Sequence, residues 1–397
     1  MMLPSLSNTI ETDLLLALVN SSLKGESAPD FPVQARPERL VRLICRQRLT
    51  MLVFPVIRTG TGLCWKEVEQ ALSGNYMRGL QKSLLQEQEI STWLSSAEAK
   101  GIDCLPLKGW LLRQLYPDAT MRAMSDFDVL LREYDSAVLS SWMKELGYQE
   151  AHIDEGSYHD VYTKPPVMNI ELHRCLVNSD SPYVSWCREI WQRCTLEEGR
   201  QHIWNMTPED FYIYLIIHMA KHFYQAGTGI RGIVDLYLYE NAFQLNQEKL
   251  NRELERIGLL NFSCYLRSLA QIWFGTRPPD ADSRLVTDYF ADSGMYGTLL
   301  NKKTHTVIRS GCRTDRKNRL HTCLSIIFPG VQTMKHRFPS VERFPVLLPF
   351  FWVVRILRVL LFDRSLIQRH LDYRQISDER CSTARWVCHI MGMDTHF

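Results

Sequence analysis

LPLKGWLLRQLYPDATMRAMSDFDVLL, residues 105–131, is the stretch whose reading decides the fold. It sets two aspartates, Asp126 and Asp128, one residue apart in an apolar run that follows a Lys-Gly turn. Side chains at i and i+2 of a strand leave the same face, so both carboxylates reach one region of space while Phe127 and Val129 point the other way. Mg2+ prefers hard oxygen ligands and commonly bridges carboxylates to phosphates, so the pair reads first as a nucleotide-phosphate site.

The pattern around this stretch alternates. Ile102 to Leu107 is a short apolar run, Leu111 to Tyr116 has helical spacing, Asp126 to Leu131 reads as a strand, and Tyr134 to Leu146 as a helix that closes at Gly147. Val161 to Lys164 and Val167 to Leu172, separated by Pro165-Pro166, predict a hairpin. Strands alternating with helices from 102 to 173 make a compact α/β unit. Within the last strand Met168, Ile170 and Leu172 share one face, and Asn169, Glu171 and His173 share the other. Glu171 is thereby presented on the polar side of a strand that can lie beside the Asp pair. Three such carboxylates can hold two metal ions; the plain alternative is a solvated sheet face with ordinary charges. Lys108 and Gly109 precede the pair. A glycine between a buried strand and a helix lets backbone N–H groups approach a phosphate, and Lys108 adds a point charge; a simple strand-to-helix turn is the bland reading.

The flanks are helical. Leu14, Leu15, Leu18 and Val19 form a first apolar stripe, Leu40, Leu43, Ile44 and Leu49 a second, and Leu80, Leu84, Trp93, Leu94 and Ala97 a third. Gly60 and Gly62 interrupt the pattern, and Gly101 is a C-cap for the third helix. From about Thr207 onward the helical period returns.

Composition bounds these readings. The chain has 397 residues, 45% hydrophobic and 11% aromatic, enough to bury a large core across two or three regions. A net charge of +2 gives no strong nucleic-acid signal. Eleven scattered cysteines without a C-x-x-C pair argue against a disulfide framework or zinc knuckle and fit a reducing, cytoplasmic compartment. The first twenty residues carry acids before their apolar run and no basic region, so no signal peptide is expected.

Several segments together carry a resemblance. Lys108-Gly109-x-x-Leu112 with Leu115-Tyr116-Pro117, then Arg122 and Ser125-Asp126-Phe127-Asp128, resembles the uncharacterised nucleotidyltransferase family of the DNA polymerase β-like superfamily. Glu171-Leu172-His173, the segment Leu215 to His222 and the segment Ile230 to Leu236 are similar to that family too, and in helix order the similarity runs from about residue 40 to 370. The resemblance implies an α+β fold: a small mixed-sheet nucleotidyltransferase core at 101–205, embedded between helical regions at 1–100 and 206–397. It implies an enzyme that uses Mg2+, or Mn2+, to move a nucleoside monophosphate from an NTP donor to an acceptor. A small molecule, glycan precursor, peptide and protein all stay open as acceptor, as does the oligomeric state.

Carried over by position, Asp126, Asp128 and Glu171 become the metal ligands and catalytic carboxylates, and Lys108, Gly109, Ser125, Arg122, Lys221 and Arg231 the nucleotide-binding set. Lys221 and Arg231 would neutralise phosphate from the helical side of the cleft. One departure stands out: the superfamily glycine usually neighbours Gly or Ser, whereas here it lies between Lys108 and Trp110. Trp110 keeps open the alternative of a catalytically silent nucleotide-binding or scaffold protein. Glu for Asp at the third position lengthens that arm by one methylene.

Other signals are weaker. His218 and His222, at i and i+4, have zinc-chelating spacing, but no Glu follows His218 as a metalloprotease needs. Lys302, Lys303, Arg309, Arg313, Arg316, Lys317 and Arg319 stand against the single acid Asp315, a cluster that reads as a solvated loop or a polyanion contact. Phe344 to Phe362 has spanning length, yet Arg355 and Arg358 lie within it. A buried or interfacial helix is therefore expected rather than a span, with peripheral membrane contact through 302–362 left open.

Overall fold

The computed structural model describes residues 10–153, 158–295, 297–309, 328, 330–334, 338, 340–362 and 377–394. The chain divides into two compact units: one holds the described residues of 6–222 with 228–295, the other 223–227 with the described residues from 297 onward.

In the first unit the N-terminal stripes become helices α1 (Ile10–Lys24), α2 (Pro37–Arg46), α3 (Thr50–Ile57) and α4 (Leu63–Lys100). Leu14, Leu15, Leu18 and Val19 of α1 and Leu40, Leu43 and Ile44 of α2 are buried, as the i, i+3, i+4 spacing requires. The short apolar run in α3 was not anticipated as a separate helix. It is buried on nearly every side, so it carries no amphipathic period to read. Helix α4 ends as expected at Gly101, whose φ of 69° lies in the left-handed region. The N–H of Gly101 then donates to the Glu98 carbonyl at 3.2 Å, and that of Ile102 to Ala97 at 3.0 Å. One detail of the third stripe is corrected. The inward face of α4 runs through Ser83, Gln86, Ile90, Trp93 and Ala97, and Leu84, about 100° off that line, is exposed.

The sheet has five strands, β1 (Cys104–Pro106), β2 (Asp126–Leu131), β3 (Gln149–His152), β4 (His159–Lys164) and β5 (Met168–His173), in the order β1-β2-β5-β4-β3. Helix α5 (Lys108–Arg113) follows β1, and α6 (Ser136–Glu145) lies between β2 and β3. β2 pairs with β5 in parallel and the other neighbours are antiparallel, so the small sheet is mixed. The expected hairpin is β4–β5, and the α+β architecture holds. β3 was not anticipated: Gln149–His152 is exposed at every position and has no alternation to reveal it.

Period-two alternation divides the sheet into two faces. Phe127, Val129 and Leu131 of β2, Met168, Ile170 and Leu172 of β5 and Tyr162 of β4 pack in one cluster with Ile90, Trp93 and Ala97 of α4 and Leu139, Trp142 and Met143 of α6. Trp93 meets Phe127 edge-on with ring centroids 5.7 Å apart and lies 5.0 Å from Trp142. The polar residues of β2 and β5 are left for the opposite face.

A small two-stranded ribbon, Thr195–Leu196 with Trp204–Asn205, follows the short helix α7 (Val184–Arg188). Then come α8 (Pro208–Ala226), α9 (Ile230–Ala242), α10 (Gln247–Arg256), α11 (Leu260–Phe274) and α12 (Ala281–Ser293), the last opened by an Asp280/Ser283 capping box.

The second unit contains α13 (Leu299–Arg309), which pairs with the helix Asp378–Ile390; Arg380 Nη2 donates to Asn301 Oδ1 at 2.6 Å. Residues 302–309 are thus helical rather than a loop, with Lys302 exposed and Lys303 buried. Arg313, Arg316, Lys317 and Arg319 lie outside the described residues. Leu348–Phe362 is a helix after a short 3-10 turn, and Phe344, Val346, Phe350 and Val353 are exposed. Among the described residues no helix is long and apolar enough to cross a membrane.

Trp93→Ala removes the side chain on which Phe127 and Trp142 rest, and the expected cost is about 3–5 kcal/mol. Urea unfolding followed by far-UV circular dichroism measures it; a loss below 1 kcal/mol would show that the cluster does not support the sheet.

Candidate active site

The parallel pairing of β2 with β5 sets Asp128 directly opposite Glu171 and Asp126 opposite Asn169. Asp126, Asp128, Glu171 and His173 therefore leave the sheet on the face away from the core cluster and line one cavity of about 220 Å3. The donor atoms of Asp128, Glu171 and His173 all lie within 4.8 Å of one another. Asp126 is placed two residues up the same face and lines the same cavity.

Lys108 opens α5 directly above this face. The Leu107 N–H donates to the Asp128 carbonyl at 2.9 Å, which fixes the turn against β2 and brings Lys108 Nζ to 2.7 Å from Asp128 Oδ2. His173 Nε2 lies 3.1 Å from the other oxygen, Asp128 Oδ1, and 3.7 Å from Glu171 Oε2. Burial works against the Asp128 charge, but the Lys108 ammonium and the His173 imidazole hold its carboxyl well below the usual range. The neighbours have weaker support, from Lys108 for both and from Arg231 for Asp126. Burial, then Asp128 and Asp126, push Glu171 up to about 7, and burial with Asp128 raises Asp126.

Three acids thus converge where the protein supplies close cationic contact to one of them. This is the charge balance that a bound cation relieves, and the Lys108 ammonium already occupies one Asp128 oxygen as a cation would. Two carboxylates with an imidazole nitrogen make a donor set suited to a divalent metal.

The opposite wall comes from α8 and α9. His218, Lys221, His222 and Arg231 all line the cavity. His218 and His222 bring their Nε2 atoms to 3.0 Å of each other, so one donates and the other accepts. Burial first, and then the Lys108 charge, lowers both imidazoles, His222 to about 4. Lys221 Nζ donates to the Tyr158 hydroxyl at 2.9 Å. Arg231 Nη1 donates to the Ala123 carbonyl at 2.8 Å, just ahead of β2.

Arg122 lines the cavity too, but its donors are engaged. Nε and Nη2 bind Asp235 Oδ1 and Oδ2 of α9 at 2.8 and 2.9 Å, and Nη1 donates to the Gly109 carbonyl at 3.2 Å. The Tyr116 hydroxyl completes the group at 2.8 Å from Asp235 Oδ1. Arg122 thus ties the Lys-Gly turn to α9. Gly109 and Ser125 are not on the cavity wall, and Ser125 is exposed. Trp110, whose place beside Gly109 favoured a silent protein, turns away from the cavity. It packs against the core cluster, with its ring 6.4 Å from Phe127.

A family model described as uncharacterised nucleotidyltransferase matches residues 34–275, more than half of the chain. The chain belongs to the uncharacterised nucleotidyltransferase family. The match ends well before residue 370, the limit that helix order had suggested, and spans the sheet together with α8 and α9. No curated protein and no solved structure matches the chain.

This nucleotidyltransferase contains three notable residues to which sequence reasoning assigned no site role. His173 shares a strand face with Glu171, and that alternation was the signal for it. Asp235 sits in an apolar helical run, Ile233-Val234-Asp235-Leu236, where a lone carboxylate signals a buried partner. Thr228 lies in a Gly-Thr-Gly turn that carries no signal of its own.

Two outcomes are expected. Asp235→Leu strands the buried Arg122 charge and costs about 3–5 kcal/mol, whereas Arg122→Met with Asp235→Leu recovers at least half of it in urea unfolding. An additive double variant would show the pair to be uncoupled. Because His222 falls to about 4 in the folded protein from 6.5, the unfolded chain binds more protons between those values, and stability declines as pH falls from 6.5 towards 4. Glu171, raised from 4.5 to about 7, acts in the opposite sense over an overlapping range, so the test compares variant with parent. His222→Gln should flatten the acid-side decline of the thermal midpoint, and parallel curves would refute the burial of a neutral imidazole.

Proposed function

We propose that this nucleotidyltransferase moves a nucleoside monophosphate from a Mg2+-bound NTP to an acceptor hydroxyl, phosphate or side chain, with Asp126, Asp128 and Glu171 as its catalytic carboxylates. The observation that carries the reading is the register that sets Asp128 opposite Glu171 on a shared cavity face. Asp126, Asp128 and Glu171 would hold the metal, with His173 beside them. When bound, a divalent cation would neutralise phosphate charge and polarise the phosphoryl centre.

The remaining roles belong to the chain. In the transfer an acceptor O–P bond forms at the α-phosphorus, the bond to the bridging oxygen breaks, and pyrophosphate leaves. Glu171, opposite Asp128 on the cavity face, deprotonates or orients the acceptor. Lys108 steadies Asp128 and faces the incoming phosphates, while Lys221 and Arg231 neutralise them from the helical wall. Arg122 holds the Gly109 carbonyl and so sets the turn that carries Lys108. The scattered cysteines, without a C-x-x-C pair, fit a reducing, cytoplasmic setting.

Asp126→Asn tests this. Pyrophosphate release from an NTP with Mg2+ should fall by about 100-fold or more, the scale of losing a charged group that acts on the transition state. The thermal midpoint should hold or rise, because removing one of three crowded acids relieves repulsion; unchanged turnover would sink the reading. The His173 nitrogen favours Mn2+ as the second metal, since imidazole is a softer ligand than carboxylate. His173→Asn should therefore lower the ratio of Mn2+- to Mg2+-supported activity, and an unaltered ratio would remove His173 from the metal site.

A further inference from the structure

The first turn of α9 lies on the wall of the cavity that also holds the carboxylates, and it lacks a side-chain cap of its own. Its N-cap is Gly229, which contributes no side chain. A Cβ there would lie 2.6 Å from Gln47 Oε1, 2.8 Å from Met295 Cα and 2.9 Å from the Gly294 carbonyl oxygen, so packing forbids a capping Ser, Thr or Asp. Gln47, fully buried and held by its donations to the Phe290 and Ala291 carbonyls at 2.9 Å each, accepts the Ile230 N–H at 2.9 Å. That satisfies the first amide of a thirteen-residue helix and leaves the partial positive charge of its first turn beside Thr228, Arg231 and Gly232 of the cavity wall.

Thr228, immediately before this N-cap, supplies an independent observation. It is only 6% exposed and lines the cavity, and its side chain makes no hydrogen bond among the described residues. A hydroxyl on a cavity wall with no protein partner is one that a ligand can complete. Arg231 and Gly232 lie beside it on the same wall, and Lys221 reaches the cavity from α8. Phosphate oxygen matches every feature: it accepts from the hydroxyl, from helix N–H groups and from the flanking cations. The turn at Lys108 is a poorer candidate, because α5 is six residues long and its lysine is engaged with Asp128.

We propose that Thr228 and the N-terminus of α9 form a phosphoryl-binding subsite on the wall opposite Asp126, Asp128 and Glu171. It rests on the nucleotidyl-transfer reading only for its place in the reaction; the binding itself requires no metal. The phosphoryl group is either the β,γ-portion of the NTP or a phosphate carried by the acceptor.

Calorimetry on the full chain at low ionic strength, without divalent metal, tests it with inorganic tripolyphosphate. Thr228→Val, close in shape but without the donor, should bind tripolyphosphate about tenfold more weakly or worse, as expected for a hydrogen bond to a charged group. Thr228→Ser should restore binding, and the thermal midpoint of each variant confirms that it is folded. Equal affinity in Thr228→Val and the parent, or no tripolyphosphate binding by the parent, overturns the subsite. Two further titrations identify the source. If Thr228→Val weakens ATP but leaves AMP unaffected, the subsite takes the donor's outer phosphates; if it weakens ribose 5-phosphate and leaves ATP unaffected, it takes the acceptor's. Asp126→Asn should keep metal-free tripolyphosphate binding, so a failure of the catalytic reading is distinguishable from a failure of this one.

Discussion

Holding like charges side by side out of water is costly, and this protein does so with Asp126, Asp128 and Glu171. The parallel β2–β5 pairing enforces it: once Asp128 and Glu171 are in register, neither carboxylate can leave without shifting the strand. A one-residue slip would turn Phe127, Val129, Ile170 and Leu172 out of the cluster built on Trp93 and Trp142, so the apolar face pins the polar one. The hydrophobic core and the charged cavity are two faces of one constraint. Burial supplies the free energy that keeps the acids together, and their concentration of charge creates the demand for a cation.

That coupling explains why so much of the site was legible in the chain. Alternation with a period of two displays both faces of β2 and β5 directly, so the Asp pair, Glu171 and the mixed sheet followed from spacing and resemblance together. Edge strand β3 was hidden for the converse reason: Gln149–His152 buries nothing and is held through backbone pairing that leaves no mark on residue choice. Helix α3 was hidden because its burial is nearly uniform. Among the cavity residues, a motif could place Arg122 and Arg231 near phosphate, but only three-dimensional pairing shows that Arg122 spends its donors on Asp235 and Gly109. Contacts 113 positions apart have no local period to read.

The Arg122–Asp235 pair also gives the helical wall a definite relation to the sheet. Asp235 sits on α9, one turn beyond Arg231, and receives Arg122 from the segment leading into β2 and Tyr116 from the end of the α5 region. Arg231 reaches back to the Ala123 carbonyl in the same segment. Buried ion pairs are weak sources of stability against well-packed apolar residues, so their value here is better sought in geometry. Arg122 ties the Lys108 turn to α9, and Arg231 ties α9 to the segment before β2, so the sheet side and the helical side of the cavity are joined twice.

A cavity walled by acids on one side and by Lys221, Arg231 and a helix N-terminus on the other is polarised across its width. A phosphate chain in such a gap meets opposite demands at its two ends. The end near the carboxylates is repelled unless a cation intervenes, whereas the end near α9 is attracted without one. On the proposed nucleotidyl-transfer reading, the helical wall attracts phosphate without a cation and the carboxylates need one. Lys108 sits at the junction of the two regions. Its ammonium neutralises Asp128 from 2.7 Å. This pairing gives a physical reason for lysine, rather than a small hydroxyl residue, to precede Gly109 in this chain.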